Sequence, residues 1–229
     1  MSLFAIGDLH LGFKVEKPMD IFGDNWIAHE RLIKKNWIEK IKENDTILLP
    51  GDISWATKFE DARIDLDWVD ELPGKKIISK GNHDYWWLSL KKMRNQFDSI
   101  SFLQNNYYNY EDYAICGTRG WICPNENEFT EHDEKIYKRE ALRLRLSLDQ
   151  AKAAGYSKFI VMLHYPPTND QLQPSLFTEI VEEYKVEKVI YGHLHSYGAY
   201  DYKFKGIINN IEYILTSVDF IKFDPIKIF

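Results

Sequence analysis

Lys76-Ile77-Ile78-Ser79-Lys80-Gly81-Asn82-His83-Asp84 decides the fold. Its first half is short, apolar and β-branched, which predicts a buried strand. Its second half is a polar group set directly at the strand's end. Four other runs repeat the arrangement. Leu3-Phe4-Ala5-Ile6 runs into Gly7-Asp8-Leu9-His10, and Thr46-Ile47-Leu48-Leu49 into Gly51-Asp52. Phe159-Ile160-Val161-Met162-Leu163 leads to His164, and Lys188-Val189-Ile190-Tyr191 to Gly192-His193-Leu194-His195. Helical periodicity fills the intervals at Trp26 to Ile41, Asp61 to Leu72, Glu131 to Ala154 and Leu176 to Tyr184. Strands alternating with helices predict an α/β fold. Tyrosine-rich or β-branched alternation from Asn106 to Cys116 and from Tyr202 to Ser217 adds antiparallel strands. Asn209-Asn210 is the expected hairpin turn between Lys203–Ile208 and Ile211–Thr216.

In an α/β sheet, ligands gather beyond the carboxyl ends of the strands, so the five polar groups are expected to converge. They contain five of the seven histidines. Glycine beside the polar residue in four of the five groups suits a sharp turn where a side chain would crowd the ligands. Asp, Asn and His without a thiolate form a mixed nitrogen and oxygen donor set. That set favours divalent Mn, Fe, Zn, Ni or Co over Ca or a cysteine-rich structural zinc. Asp8, His10, Asp52, Asn82, His164, His193 and His195 are too many ligands for one ion. If one carboxylate bridges, each of two metals receives four protein ligands and keeps open positions, the mark of a catalytic centre. Taken singly, an Asp after a strand or a lone His has a structural explanation; the joint pattern does not.

The five groups, in this order, resemble the signature of the calcineurin-like metallophosphoesterases: D-x-H, G-D, G-N-H-D or G-N-H-E, a lone H, and G-H-x-H. The match spans Asp8 to His195. The resemblance implies a β-sandwich flanked by helices. It implies Asp8, His10, Asp52 and His195 on a first metal, and Asp52, Asn82, His164 and His193 on a second. Asp52 is then the bridge, and His83 and Asp84 are catalytic rather than ligating. The residues give those last roles separate support. With Asn82 turned to a metal, His83 is free to face a leaving group as an imidazolium held by Asp84, for an acid contribution of about 10²–10⁴ in rate. Two divalent ions carry four positive charges, and Asp8, Asp52 and one bound hydroxide remove three. The remaining positive site suits a phosphate oxyanion, attacked in line by the hydroxide. The expected function is metal-dependent hydrolysis of phosphomonoesters or small phosphodiesters. The second block continues Gly51-Asp52-Ile53-Ser54-Trp55, and Tyr85 follows the third, which departs from the phosphoprotein phosphatase branch.

Composition bounds these readings. The chain's 229 residues, 45% of them apolar, can bury one sizeable core, which predicts a single domain over 1–229, with two small ones as the alternative. Net charge is −6 and the basic residues are dispersed, which argues against nucleic acid as a partner. A metal-dependent nuclease is therefore the rival reading, and a non-catalytic scaffold that keeps the fold is the remoter one. The expected partner is a small phosphoester. No apolar run approaches a membrane span or a signal peptide, so a cytoplasmic protein is expected. Cys116 and Cys123 read as reduced thiols, and no pattern specifies an oligomeric state.

Several other residues invite a role. His29 and His132 fall in predicted helices, where a solvent-facing or capping histidine is expected. Tyr85-Trp86-Trp87 reads equally as a pocket wall and as core aromatics. Arg119, in the turn Gly117-Thr118-Arg119-Gly120-Trp121, reads first as a solvated arginine and second as a phosphate contact. The run Lys138-Arg139-Glu140 with Arg143 and Arg145 reads as an exposed helix face. The segment from Arg119 to Thr130 is expected to be an irregular loop that shapes substrate choice.

Overall fold

The structure, a computed structural model, describes residues 1–125 and 129–229. In chain order the elements are β1 (Leu3–Ala5), α1 (His29–Lys40), β2 (Thr46–Leu49), α2 (Phe59–Asp70), β3 (Lys75–Ser79), α3 (Leu90–Met93), β4 (Ile100–Leu103), β5 (Tyr107–Tyr110) and β6 (Tyr113–Gly117). They continue with α4 (Glu131–Ala153), β7 (Lys158–Met162), α5 (Leu176–Glu183), β8 (Lys188–Tyr191), α6 (Ser196–Asp201), β9 (Gly206–Ile208), β10 (Ile211–Leu215) and β11 (Ile226–Lys227). Two sheets result, ordered β11-β1-β2-β3-β4 and β5-β6-β7-β8-β10-β9. Strands β1 to β4 run parallel, as do β6, β7, β8 and β10; β11, β5 and β9 pair antiparallel at the edges.

The apolar runs look continuous because both faces of each strand are covered. Leu3, Ala5, Leu48 and Ile77 of the first sheet meet Ile115, Ile160, Met162 and Ile190 of the second in the layer between the sheets. The alternate residues Phe4, Ile47, Leu49 and Ile78 face outward onto Ile33 and Trp37 of α1 and Leu66 and Val69 of α2. Phe159, Val161, Val189 and Tyr191 face outward onto Leu144 and Leu148 of α4 and Phe177 and Val181 of α5. The result is the helix-flanked β-sandwich that the sequence implied.

Local chemistry sets the element ends. Thr130 accepts from the Asp133 amide while Asp133 returns a bond to the Thr130 amide, a capping box that starts α4 at Glu131. Ser175 and Thr178 do the same for α5. Asn209 and Asn210, at φ 51° and 65°, form the turn of the β9–β10 hairpin. Helix α1 starts later than its periodicity suggested, because Trp26 ends a separate 3₁₀ turn and Ala28 takes a left-handed φ of 52°. Part of the irregular segment expected from Arg119 to Thr130, residues 126–128, lies outside the described residues.

Candidate metal centre

The parallel strands bring their carboxyl ends to one edge, and the backbone ladder continues past them into the loops. The Asp8 amide donates to Gly51 O at 3.0 Å, His10 to Asp52 O at 3.0 Å, and Gly7 to Thr216 O at 2.8 Å, which ties the two sheets together at this edge. Asp8, His10, Asp52 and His193 all adopt positive φ, at 58°, 46°, 53° and 73°. Such conformations cost non-glycine residues of order 1–3 kcal/mol each and persist where surrounding structure imposes them. Close approach does the same for two glycines. A Cβ on Gly81 would lie 2.0 Å from Asp52 Oδ1, and one on Gly192 would lie 2.3 Å from Asp8 Oδ2.

All seven expected ligands come together. In one group, His10 Nε2 faces His195 Nε2 at 3.2 Å, with Asp8 Oδ1 3.7 Å from His195 Nε2. In the other, Asn82 Oδ1 lies 2.6 Å from His164 Nε2 and 2.8 Å from His193 Nδ1, and those two ring nitrogens are 3.2 Å apart. Asp52 Oδ2 stands between the groups, 3.4 Å from His164 Nε2 and 3.9 Å from His10 Nε2. Asp8, Asp52 and His164 are buried, and Asn82, His193 and His195 are partly open.

These residues fit divalent cations, and the test is where the protons go. His164 Nδ1 meets the Pro50 carbonyl at 2.9 Å and His195 Nδ1 meets Asp219 Oδ1 at 2.7 Å, contacts that assign the proton to Nδ1 in both rings. Each Nε2 then presents a lone pair to oxygens and to another imidazole nitrogen. The ligand atoms of Asp8, His10 and His195, and those of Asp8, Asp52 and His164, lie within 4.8 Å of one another, and a hard or borderline divalent ion matches this mixed oxygen and nitrogen set. Electrostatics point the same way. Burial pushes Asp8 up to about 6 against the pull of His195 and His164. Burial opposes ionisation of Asp52 too, but His164 and His10 hold its carboxyl well below the usual range. Burial alone disfavours a charged His164, yet Asp52 and Asp8 push it up to about 9, so without a cation Nε2 takes a second proton, and its lone pair is free for a metal only when the cation replaces that proton. Burial and the charge of His164 push His193 down to about 3.

His83 and Asp84 separate in role. The His83 ring is half-buried beside Trp55, with centroids 4.3 Å apart, and makes no side-chain hydrogen bond among the described residues. Its amide donates to Asp52 Oδ1 at 2.8 Å. Burial, against the pull of Asp52, holds the imidazole below its ordinary range. Asp84, expected to steady the imidazolium, is turned the other way. Oδ2 accepts from the Gly81 amide at 2.8 Å and the Asp52 amide at 2.9 Å. Oδ1 accepts from Ile53 at 2.9 Å, Ser54 at 3.3 Å and Trp86 Nε1 at 3.0 Å. The carboxylate clamps the Asp52 loop to the Asn82 loop and makes no hydrogen bond or ion pair with the His83 ring.

Sequence reasoning missed three supports of the centre. Asp219 orients His195 and also accepts from the Ser196 amide at 2.8 Å; its position just past β10 was the available signal. Trp55 stacks on His10 at 4.8 Å and 23°. His29 is buried, not solvent-facing, because its Nε2 reaches Leu9 O at 3.0 Å between Asp8 and His10. His132 is exposed as expected. Trp86 and Trp87 are core residues, and only Tyr85 is exposed. The aromatic wall near the centre comes instead from Trp55 and from Trp26, which lines a cavity of about 570 Å³ with His10 and the segment from Leu11 to Asp20. Arg119 is mostly buried, over the Trp121 ring at 4.4 Å, rather than solvated. Glu140 is 1% exposed, so the charged run on α4 is not wholly a solvent face.

Carboxylates, an amide and imidazoles gathered at the strand ends of two stacked sheets define a metal-binding α/β sandwich. A model described as calcineurin-like phosphoesterase matches residues 1–197, and the chain belongs to that family. The family points to metal-dependent phosphoester hydrolysis. The gene 66 protein of Mycobacterium phage L5 is 31% identical over 77 residues, which are 34% of this chain and 37% of that protein, so the match spans little more than a third of it. The gene 66 protein of Mycobacterium phage D29 is 25% identical over 197 residues, 85% of this chain and 79% of that protein. The crystal structure of phosphopantetheinyl hydrolase from Mycobacterium tuberculosis shares the fold, with a TM-score of 0.58 over 95% of this chain and 89% of that one at 13% identity. Among the described residues no helix is long and apolar enough to cross a membrane.

Proposed function

We propose that the protein hydrolyses phosphomonoesters or small phosphodiesters at a centre of two divalent cations. Asp8, His10, Asp52 and His195 would hold one, and Asp52, Asn82, His164 and His193 the other. The observation that carries the reading is the convergence of carboxylate, amide and imidazole ligand atoms in two groups that share one edge of the sheets. When bound, such cations supply Lewis-acid charge for phosphoryl oxygens and lower the pKa of water towards neutrality.

The remaining work falls to the chain. Pro50 O and Asp219 fix the tautomers of His164 and His195, so their Nε2 atoms are presented already oriented. The Asp84 clamp holds the Asp52 and Asn82 loops at fixed separation, which preorganises the centre. His83, whose ring makes no side-chain hydrogen bond among the described residues, protonates the departing oxygen. Its burial lowers its pKa, and the negative charge of a bound phosphate raises it again towards the working range. Trp26 and the segment from Leu11 to Asp20, with Trp55 stacked beside them on His10, receive the organic part of a small substrate. A net charge of −6 favours a small phosphoester over a nucleic-acid substrate.

The test is a panel of mono- and diesters, phosphopantetheine esters included, on metal-stripped protein restored with each divalent ion. His83→Ala should retain its metal and lose far more kcat on an aliphatic ester than on a nitrophenyl ester, whose leaving group needs no proton. Equal losses would remove His83 from the acid role, and no turnover of any ester with any ion would refute the hydrolase reading.

A further inference from the structure

A second charged cavity, of about 260 Å³, lies between α4 and the loops that follow β3 and β6. Lys80, Arg119, Arg139 and Arg143 line it, together with the single carboxylate of Glu140. The four cations are not used up by that carboxylate. Glu140 is satisfied by Arg143 at 2.6 Å and by the Thr118 hydroxyl. Arg119 and Arg139 stand off at 3.9 and 3.8 Å, beyond hydrogen-bond reach. Arg119 Nε is buried with no partner, and the partly buried Lys80 ammonium has no hydrogen bond or ion pair among the described residues. Gln104 adds a donor, since its Oε1 accepts from Trp87 Nε1 at 3.2 Å and leaves the amide NH₂ unspent. With Arg143 paired to Glu140, Lys80, Arg119 and Arg139 remain, and the partial burial of Lys80 and Arg119 makes their charges costly without an anion.

We infer that this cavity binds a phosphate-class oxyanion outside the metal centre. Arginine forks and an ammonium around a polar space match the several acceptor oxygens and multiple charge of phosphate better than those of a carboxylate. The Trp121 ring holds the Arg119 guanidinium from one face and orients it. The site is tied to the metal centre through the chain. Lys80 precedes Gly81-Asn82, and the Arg119 carbonyl accepts from the His164 and Tyr165 amides at 2.9 and 3.1 Å.

The probe is inorganic phosphate, titrated calorimetrically into metal-loaded protein at fixed ionic strength. Methylphosphonate, which cannot be hydrolysed, stands for phosphate carried on a larger molecule. Two binding events are expected for at least one of these probes, one at the metals and one here. Arg139→Gln and Lys80→Gln should each weaken the same single event about tenfold or more, with metal content unchanged. Arg139 projects largely into solvent, so its replacement leaves the fold intact, and Arg139→Lys should restore part of the binding. One event only for both probes, or two events that neither glutamine variant weakens, would overturn the inference and leave the arginines as counter-ions of Glu140.

Discussion

Replacing Asp84 by Asn tests whether this residue positions the centre or assists the proton transfer. Its two oxygens accept five hydrogen bonds, two at Oδ2 and three at Oδ1, four of them from backbone amides. An amide keeps one oxygen, so in its better orientation the new NH₂ faces the two donors that Oδ2 served, Gly81 and Asp52. Each buried N–H left unpaired costs about 1–3 kcal/mol, and relief of the buried charge offsets part of the loss. The net destabilisation should be roughly 2–4 kcal/mol. Because Asp52 and Asn82 sit on the two loops that part, affinity for both cations should fall with it. The assay is denaturant unfolding of metal-loaded and metal-free protein, alongside metal content and kcat for nitrophenyl and aliphatic esters. Wild-type stability and metal content, with a loss of kcat confined to the aliphatic ester, would refute the clamp and return Asp84 to the side of His83.

Asp219→Ala should lower the affinity of one cation about 10–100-fold through the loss of the His195 Nδ1 partner, read by chelator competition, and unchanged affinity would dismiss the contact. Lys76 offers a pH test away from the centre. It is fully buried against Asp70 O, Leu72 O and Ser99 Oγ, and burial pushes its ammonium from 10.5 down to about 8. The folded protein therefore releases this proton at lower pH than the unfolded chain, and stability rises as pH rises between those values. The difference in unfolding free energy, wild type minus Lys76→Met, should grow by up to roughly 3 kcal/mol from pH 8 to 10.5, and a flat difference would contradict the shift.

Legibility in the sequence followed the strength of local signals. The five ligand-bearing strands were readable because burial on both faces makes them unbroken apolar runs, and Asn209-Asn210 announced its hairpin. Strands β4 and β11 were not read as elements, since Ile100-Ser101-Phe102-Leu103 and Ile226-Lys227 are too short and mixed to register as periodic. Residues of the centre could be named because each follows a strand. Their supports were hidden because their partners are distant in the chain: Asp219 acts on His195, His29 on Leu9, and Asp84 on a loop some thirty residues earlier. Periodicity likewise assigned Glu140 to an exposed face, whereas Thr118 and Arg143 make its burial possible.

The two-cation centre is tested most directly by metal stoichiometry, measured by elemental analysis of fully loaded protein together with Asp52→Asn. About two divalent ions per chain are expected, with both sites weakened together in the variant, because Asp52 Oδ2 lies within 4 Å of ring nitrogens from both groups. One ion or none in the wild type, or a variant that loses a single ion and keeps the other at full affinity, would contradict it.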